Sequence, residues 1–150
     1  MLINIFGYGL PVIFACLFLQ TLMLVVVSRY YTARVGAARL NTFWVNMGVV
    51  GVVMLLLLVG NLAQIGIWAL TFMLLGEFEI FRDAFYHSAV NFATLGYGDI
   101  VMSEEHRILG PLQAVNGVLM IGVSTAALMA VMQDMLKRAW HEHGTEVDPE

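Results

Sequence analysis

The stretch Thr94-Leu95-Gly96-Tyr97-Gly98-Asp99 decides how this sequence folds. Its two glycines occupy alternate positions, and glycine readily adopts positive φ angles that other residues avoid. Such a segment favours an irregular loop. It directly follows a short apolar run, about Phe81 to Ala93. A run of this length is too short to cross a bilayer and predicts a buried or re-entrant helix.

The composition around this stretch is that of a membrane protein. Of 150 residues, 60% are hydrophobic and only 12% are charged, whereas soluble domains carry about 25% charged residues. The length predicts a single domain. The net charge of −4 argues against a nucleic-acid partner, which would require a basic face. The single cysteine, Cys16, lies in an apolar run and is predicted to act as a small apolar residue.

Three other apolar runs are long enough to cross a bilayer, which requires about 20 residues. They are about Leu2 to Val27, Phe43 to Leu75 and Ile108 to Leu136. No basic residue precedes the first run, so it predicts a retained helix, not a cleaved signal peptide. A basic link, Ser28 to Asn41, and a polar tail, Lys137 to Glu150, lie outside these runs. The pattern predicts an all-α membrane protein with three transmembrane helices and one short re-entrant helix.

In this setting the stretch Thr94–Asp99 resembles the selectivity filter of potassium channels, Thr-Val-Gly-Tyr-Gly, and differs from it only at Leu95. The resemblance covers about Phe43 to Leu136, in the order outer helix, pore helix, filter loop and inner helix. It implies a pore domain at 43–137. The remainder would be an extra N-terminal transmembrane helix with a basic cytoplasmic link at 1–42 and a short cytoplasmic tail at 138–150. Each chain carries one filter quarter, so the resemblance also implies a tetramer around a central pore.

The resemblance further implies how the loop would act. In potassium channels the filter carbonyls replace the hydration shell of the ion. Here this assigns K⁺ binding to the carbonyls of Thr94, Leu95, Gly96 and Tyr97, with Gly98 completing the loop. The side chains of Leu95 and Tyr97 would point into the wall. The expected cofactor is K⁺ as the permeant ion, with no organic cofactor. The expected partners are the lipid bilayer and three further copies of the chain.

Four residues are predicted to support the filter: Tyr86, His87, Val90 and Asp99. Relatives often carry aromatic residues at the first two positions, and some carry a glutamate at the third that pairs with the aspartate. Val90 therefore predicts that Asp99 lacks this partner. His87 has two interpretations, a hydrogen-bonded support residue or a proton sensor. Asp83 is predicted to cap the start of the pore helix.

Gly122 resembles the hinge glycine of the family's inner helix, and Gly117 is an alternative hinge. Small residues also allow close packing between membrane helices, and this second interpretation stays open for both glycines. Asn116 is predicted to line the cavity below the filter, because a polar residue at that depth usually faces protein or water.

Charge predicts the orientation in the membrane. Most basic residues lie in the first link and after the last helix, namely Arg29, Arg34, Arg39, Lys137 and Arg138. The positive-inside rule places these regions in the cytoplasm. The N-terminus and filter loop are then outside the cell (plasma or inner) membrane, and the C-terminus is cytoplasmic. Acids predominate around the filter and would concentrate cations at an outer mouth. They are Glu77, Glu79, Asp83, Asp99, Glu104 and Glu105.

The predicted function is a potassium-selective channel that passes ions passively. Two alternatives are a non-conducting or regulatory membrane subunit and a weakly selective cation channel. The intact Gly96-Tyr97-Gly98 argues against both. No enzyme is predicted, because the sequence shows no Ser-His-Asp set, metal-spaced cluster or phosphate loop.

Overall fold

The computed structural model describes the backbone of residues 4–37 and 43–144, and the side chains of 4–34, 44–138 and 140. Within these ranges the chain forms four α-helices and no strand. They are α1 (Leu10–Ala37), which continues from a π-helical turn at Ile5–Gly9, α2 (Phe43–Leu74), α3 (Phe81–Phe92) and α4 (Leu109–Gly144). The predicted all-α architecture is confirmed.

Three of the helices are long and apolar enough to cross a membrane. The qualifying segments are Ile5–Arg34, Trp44–Leu74 and Leu109–Arg138. The short helix α3 lies between the second and third of these segments in the chain, as the length of its apolar run predicts. The protein is therefore a multi-pass membrane protein.

Two helices are longer than predicted at their basic ends. α1 continues to Ala37, so Ser28–Ala37 is helical and Arg29 and Arg34 lie on α1 rather than in a link. α4 likewise continues through the predicted polar tail as far as Gly144. Arginine, lysine and alanine are good helix formers, so loss of hydropathy does not end a helix. Arg39 lies outside the described residues.

α1 is an integral part of the helix bundle because buried polar side chains connect it to α2 and α4. The amide of Gln20 donates to the Ser124 hydroxyl at 3.0 Å and accepts from the Gln64 amide at 2.7 Å. Ser124 in turn donates to Asn61 at 3.3 Å. Hydrogen bonds between helices stabilise packing in lipid, where hydrophobic segregation from the solvent gives little driving force. Cys16 is fully buried against Trp68, as expected for an apolar residue.

The contacts at the two ends of α1 define the two ends of the molecule. Thr94–Asp99 is called the filter stretch below. At one end, Asn4 donates a hydrogen bond to the carbonyl of Glu105, in the loop that follows the filter stretch. At the other, the Tyr31 hydroxyl donates to the Asp134 carboxylate at 2.7 Å. The basic segments around Arg34 and Arg138 therefore lie at the end opposite the filter stretch.

Candidate functional site

α3 leads into the filter stretch and begins at Phe81, two residues before the predicted cap Asp83. Its N-cap is Ile80, an extended residue that offers no side-chain cap. Asp83 lies in the first turn, where its carboxylate pairs with Arg82 (Nε to Oδ1, 3.1 Å). The prediction of Asp83 as the N-cap was wrong. An acid in the first turn still interacts favourably with the positive end of the helix dipole.

The carboxyl end of α3 joins the filter stretch without an intervening linker. The backbone N–H of Thr94 donates to the Asn91 carbonyl at 2.9 Å, and that of Leu95 donates to the Val90 carbonyl at 2.9 Å. Val90 supports the filter in this way through its backbone, while its side chain is buried. The negative end of the α3 dipole is therefore held at the start of Thr94–Asp99.

The backbone of the filter stretch alternates in conformation. Thr94, Gly96 and Gly98 have φ angles of +59°, +58° and +72°, and the intervening Leu95 and Tyr97 have no positive φ. No atom outside the neighbouring residues lies within 4 Å of a Cβ built on Gly96. Glycine is required there by conformation rather than by space. Alternation in the sign of φ turns successive carbonyl groups toward the same side of the chain.

The positive φ of Thr94 is a feature that the sequence did not reveal. A β-branched residue in the left-handed region is a genuine outlier, and such strained residues concentrate at functional sites. The sequence signals the positive φ of the two glycines through their residue type, but nothing in the identity of Thr94 signals its own.

Hydrogen bonds from α3 hold the carboxyl end of the filter stretch. The Tyr86 hydroxyl donates to the Asp99 carboxylate at 2.7 Å. Asp99 thus lacks the glutamate partner at position 90, as predicted, and pairs with Tyr86 instead. This bond from Tyr86 holds the pKa of Asp99 below its usual value.

His87 is a buried, fully hydrogen-bonded residue. Its Nδ1 lies 2.9 Å from the Ile100 carbonyl, which can only accept, so Nδ1 carries the proton. Its Nε2 then accepts from the Asn91 amide at 2.8 Å. Burial lowers the pKa of His87, and a second ring proton would face the amide N–H of Asn91. This geometry favours the support interpretation over the proton sensor. Asn91 was missed, although its spacing of four residues from His87 on a helix could have indicated the pair.

A second set of polar contacts, which the sequence analysis did not predict, joins α3 to α2 and α4. The Ser88 hydroxyl donates to the Ile65 carbonyl of α2 at 2.7 Å. Gln113 of α4 donates to the Ser88 hydroxyl at 2.6 Å and to its carbonyl at 3.1 Å. Ser88 and Gln113 are both completely buried. The helices α2, α3 and α4 are thereby joined at Ser88, in the helix that leads into the filter stretch.

Glu77 anchors the loop that follows the filter stretch. Its carboxylate accepts from the backbone N–H and hydroxyl of Ser103 at 2.7 and 2.5 Å and lies 2.6 Å from Nδ1 of His106. The Glu77 side chain is only 7% exposed, so it is not one of the exposed rim acids that the sequence predicted. Burial alone would raise the pKa of Glu77, but the hydrogen bonds from Ser103 and His106 outweigh it and the pKa is lowered.

The side chains of Leu95 and Tyr97 are 55% and 65% exposed. In a single chain nothing covers them, so the wall that the resemblance implies for the assembled filter stays a prediction. At membrane depth, irregular backbone occurs only where it is buried in protein or lines water. Large apolar side chains on such a loop therefore need other protein atoms to cover them.

The chain matches a known family over this region. Residues 62–134 match a family model described as an ion channel. This segment is similar to an ion-channel family. It begins in the middle of α2 and includes α3, the filter stretch and most of α4. No curated protein and no solved structure matches the chain. The match supports passive ion conduction by a membrane protein.

Within the ion-channel segment, the two glycines of α4 lie in different surroundings. A Cβ added to Gly117 would lie 2.8 Å from the Phe92 carbonyl carbon and still closer to its oxygen, so Gly117 lets α4 contact the end of α3. A Cβ on Gly122 would meet nothing within 4 Å. Close packing therefore explains Gly117, and the hinge interpretation remains for Gly122.

Asn116 does not line a cavity. Its side chain is only 2% exposed and lies against Cys16 of α1. A group buried inside one subunit remains buried in any assembly. Asn116 lies three residues after the buried Gln113, on the same face of α4, and this face packs inside the subunit. The prediction that Asn116 faces an aqueous cavity was wrong.

Proposed function

We propose that this protein is a potassium-selective channel in which four copies surround a central pore and pass K⁺ passively. The observation that carries the proposal is the alternating backbone of the filter stretch, with positive φ at Thr94, Gly96 and Gly98. This alternation, directly at the carboxyl end of α3, is suited to presenting a row of carbonyl oxygens to a cation. A ring of such oxygens from four copies would replace the water around K⁺.

The surroundings of the filter stretch favour a cation at its inner end. The carboxyl end of α3 carries partial negative charge, and four such ends around one axis would add their fields. Tyr86 and His87 tether Asp99 and Ile100 to α3. The outer end is thereby held at a fixed width, which a selective filter needs, while the ion binds through Thr94, Leu95, Gly96 and Tyr97.

The exposure of Leu95 and Tyr97 supports assembly with further copies. Neighbouring copies would cover both side chains and supply the wall that one subunit lacks. The two ends of the molecule support an orientation with the N-terminus and filter stretch outside a cell membrane. The basic ends of α1 and α4 would then be cytoplasmic, as the positive-inside rule requires.

The test is replacement of Gly96 by alanine, with Gly66→Ala as a matched control. Both substitutions add one methyl group where nothing lies within 4 Å, but only Gly96 has a positive φ. In liposomes that hold the purified variants, we expect Gly96→Ala to lose K⁺ flux and Gly66→Ala to keep it.

K⁺ flux through Gly96→Ala equal to that of the wild type would contradict the proposal. Wild-type protein that carries no flux would instead favour the non-conducting subunit. Wild-type protein that carries Na⁺ and K⁺ equally would favour the weakly selective channel.

A further inference from the structure

The segment from the π-helical turn to the end of α1 contacts α4 at three described levels. Near the outer end, Gly9 of the π-helical turn packs against the end of the Leu112 side chain. In the middle, Gln20 bonds Ser124. At the inner end, the Tyr31 hydroxyl donates to Oδ2 of Asp134.

The inner ends of α1 and α4 also pack through apolar side chains. Val27 and Tyr31 of α1 are buried in one cluster with Val131 of α4, and an open groove of about 300 Å³ runs beside it along Ala127 and Ala130. Apolar contacts are not directional. The hydrogen bond from Tyr31 to Asp134 is directional, so it is the specific restraint on the position of the inner half of α4.

α4 also has one position suited to bending. Gly117 is packed against the end of α3, so the part of α4 near it is fixed. Gly122, five residues further on, has open space around it. Glycine weakens a helix interior and is a common site of bends. Between Leu109 and Gly144 α4 is a single uninterrupted helix, and it is in this unbent form that Asp134 reaches Tyr31.

We propose that the Tyr31–Asp134 hydrogen bond is a latch by which α1 holds the inner half of α4 in its unbent conformation. Asp134 also accepts from Arg138 of its own helix at 2.7 Å, on the same oxygen, so the carboxylate keeps a charged partner when the latch opens. Bending at Gly122 would move Asp134 away from Tyr31. In the channel proposed above, on which this inference rests, the bent form is the open one. Release of the latch therefore favours opening.

The test is Tyr31→Phe, which removes only the hydroxyl group, with Tyr30→Phe as the matched control one residue away. Single-channel open probability is measured in planar bilayers for the purified wild type and both variants. Loss of one hydrogen bond to a carboxylate is expected to shift the closed-to-open equilibrium about tenfold toward opening. Tyr30→Phe is expected to behave like the wild type.

Asp134→Ala, which removes the acceptor, tests the same latch if Tyr31→Phe does not assemble, and it should shift opening in the same direction. The double variant should shift opening no further than the stronger single variant, because both substitutions break one interaction. Open probabilities of Tyr31→Phe and Asp134→Ala that equal or fall below the wild-type value would overturn the latch while leaving the proposed channel intact. A wild-type protein that conducts no ions would overturn the proposed function and the latch with it.

Discussion

At the scale of single residues, Glu77 shows how a charge can serve structure instead of conduction. Its carboxylate accepts two hydrogen bonds from Ser103 and one from His106 in a site that is almost closed to solvent. These bonds hold the loop after the filter against the turn between α2 and α3. The loop in turn contacts the start of α1 through Asn4, so Glu77 connects the filter surroundings to the first helix.

We predict that Glu77→Gln lowers the free energy of unfolding by about 2 kcal/mol at neutral pH, because hydrogen bonds to a buried carboxylate are lost or weakened. The folded-state pKa of Glu77 is lowered. Its contribution is therefore complete above the unfolded-state pKa and is lost as pH falls through the folded-state pKa. The stability difference between wild type and variant should shrink as the solution is acidified. Thermal unfolding in detergent at several pH values measures it.

The exposed Glu79 provides the control for this experiment, since it lies in the same turn and Glu79→Gln changes the net charge equally. A stability loss in Glu79→Gln as large as in Glu77→Gln would assign the effect to charge alone and contradict the anchoring role.

The glycines of α4 give a second prediction at this scale. Gly117→Ala places a methyl group against the Phe92 carbonyl. Because backbone cannot rotate away as a side chain can, the expected loss is about 1–3 kcal/mol of stability. Gly122→Ala meets open space and removes a flexible residue from a helix, so stability should be kept or increased while opening becomes less frequent.

Thermal unfolding and open probability, measured on both variants, separate the two roles. Equal stability of Gly117→Ala and Gly122→Ala would contradict the packing role of Gly117. An open probability of Gly122→Ala equal to that of the wild type would contradict the hinge.

At the scale of the helices, hydropathy predicted which elements exist but not where they end. The four apolar runs correspond to α1, α2, α3 and α4 because a helix is the structure that satisfies its own backbone in lipid. The ends of α1 and α4 were missed because their final segments carry Arg29, Arg34 and Arg138, which lower hydropathy and yet favour helix. Tyr31 and Asp134 stabilise these extended ends by a contact over 103 residues of sequence, which no local pattern contains.

The predicted cap of α3 was wrong for a related reason. The sequence offered Asp83 as a cap, but the structure begins the helix at Phe81 without any side-chain cap. The contacts of Ser88 with Ile65 and Gln113 fix the position of α3 from its middle. Tertiary contacts of this kind outweigh the roughly 1 kcal/mol that a capping residue contributes.

At the scale of the whole molecule, the sequence predicted the backbone conformation of the two glycines in Thr94–Asp99 and only part of their surroundings. Alternate glycines indicated the positive φ angles of Gly96 and Gly98, because residue type restricts the backbone directly. The partner of Asp99, the tautomer of His87 and the buried position of Asn116 depend on which helix faces reach one another. These three features follow from the packing of α1, α3 and α4 against one another.

A single filter stretch per chain already implied, at the level of sequence, that several copies are needed. The structure adds that the side chains of Leu95 and Tyr97 remain exposed, and in the proposed assembly the carbonyls of one chain would supply a quarter of the ring. Conduction through the filter stretch is therefore a property of the proposed assembly of four, and measurements on that assembly test the account as a whole.

The most direct measurement is the reversal potential of the purified, reconstituted wild-type protein with K⁺ on one side of a bilayer and an equal concentration of Na⁺ on the other. A filter formed by the carbonyls of Thr94 to Tyr97 predicts a reversal potential far from zero, with the sign that K⁺ permeation requires. Currents that reverse near zero, with Na⁺ passing as readily as K⁺, would contradict the central claim.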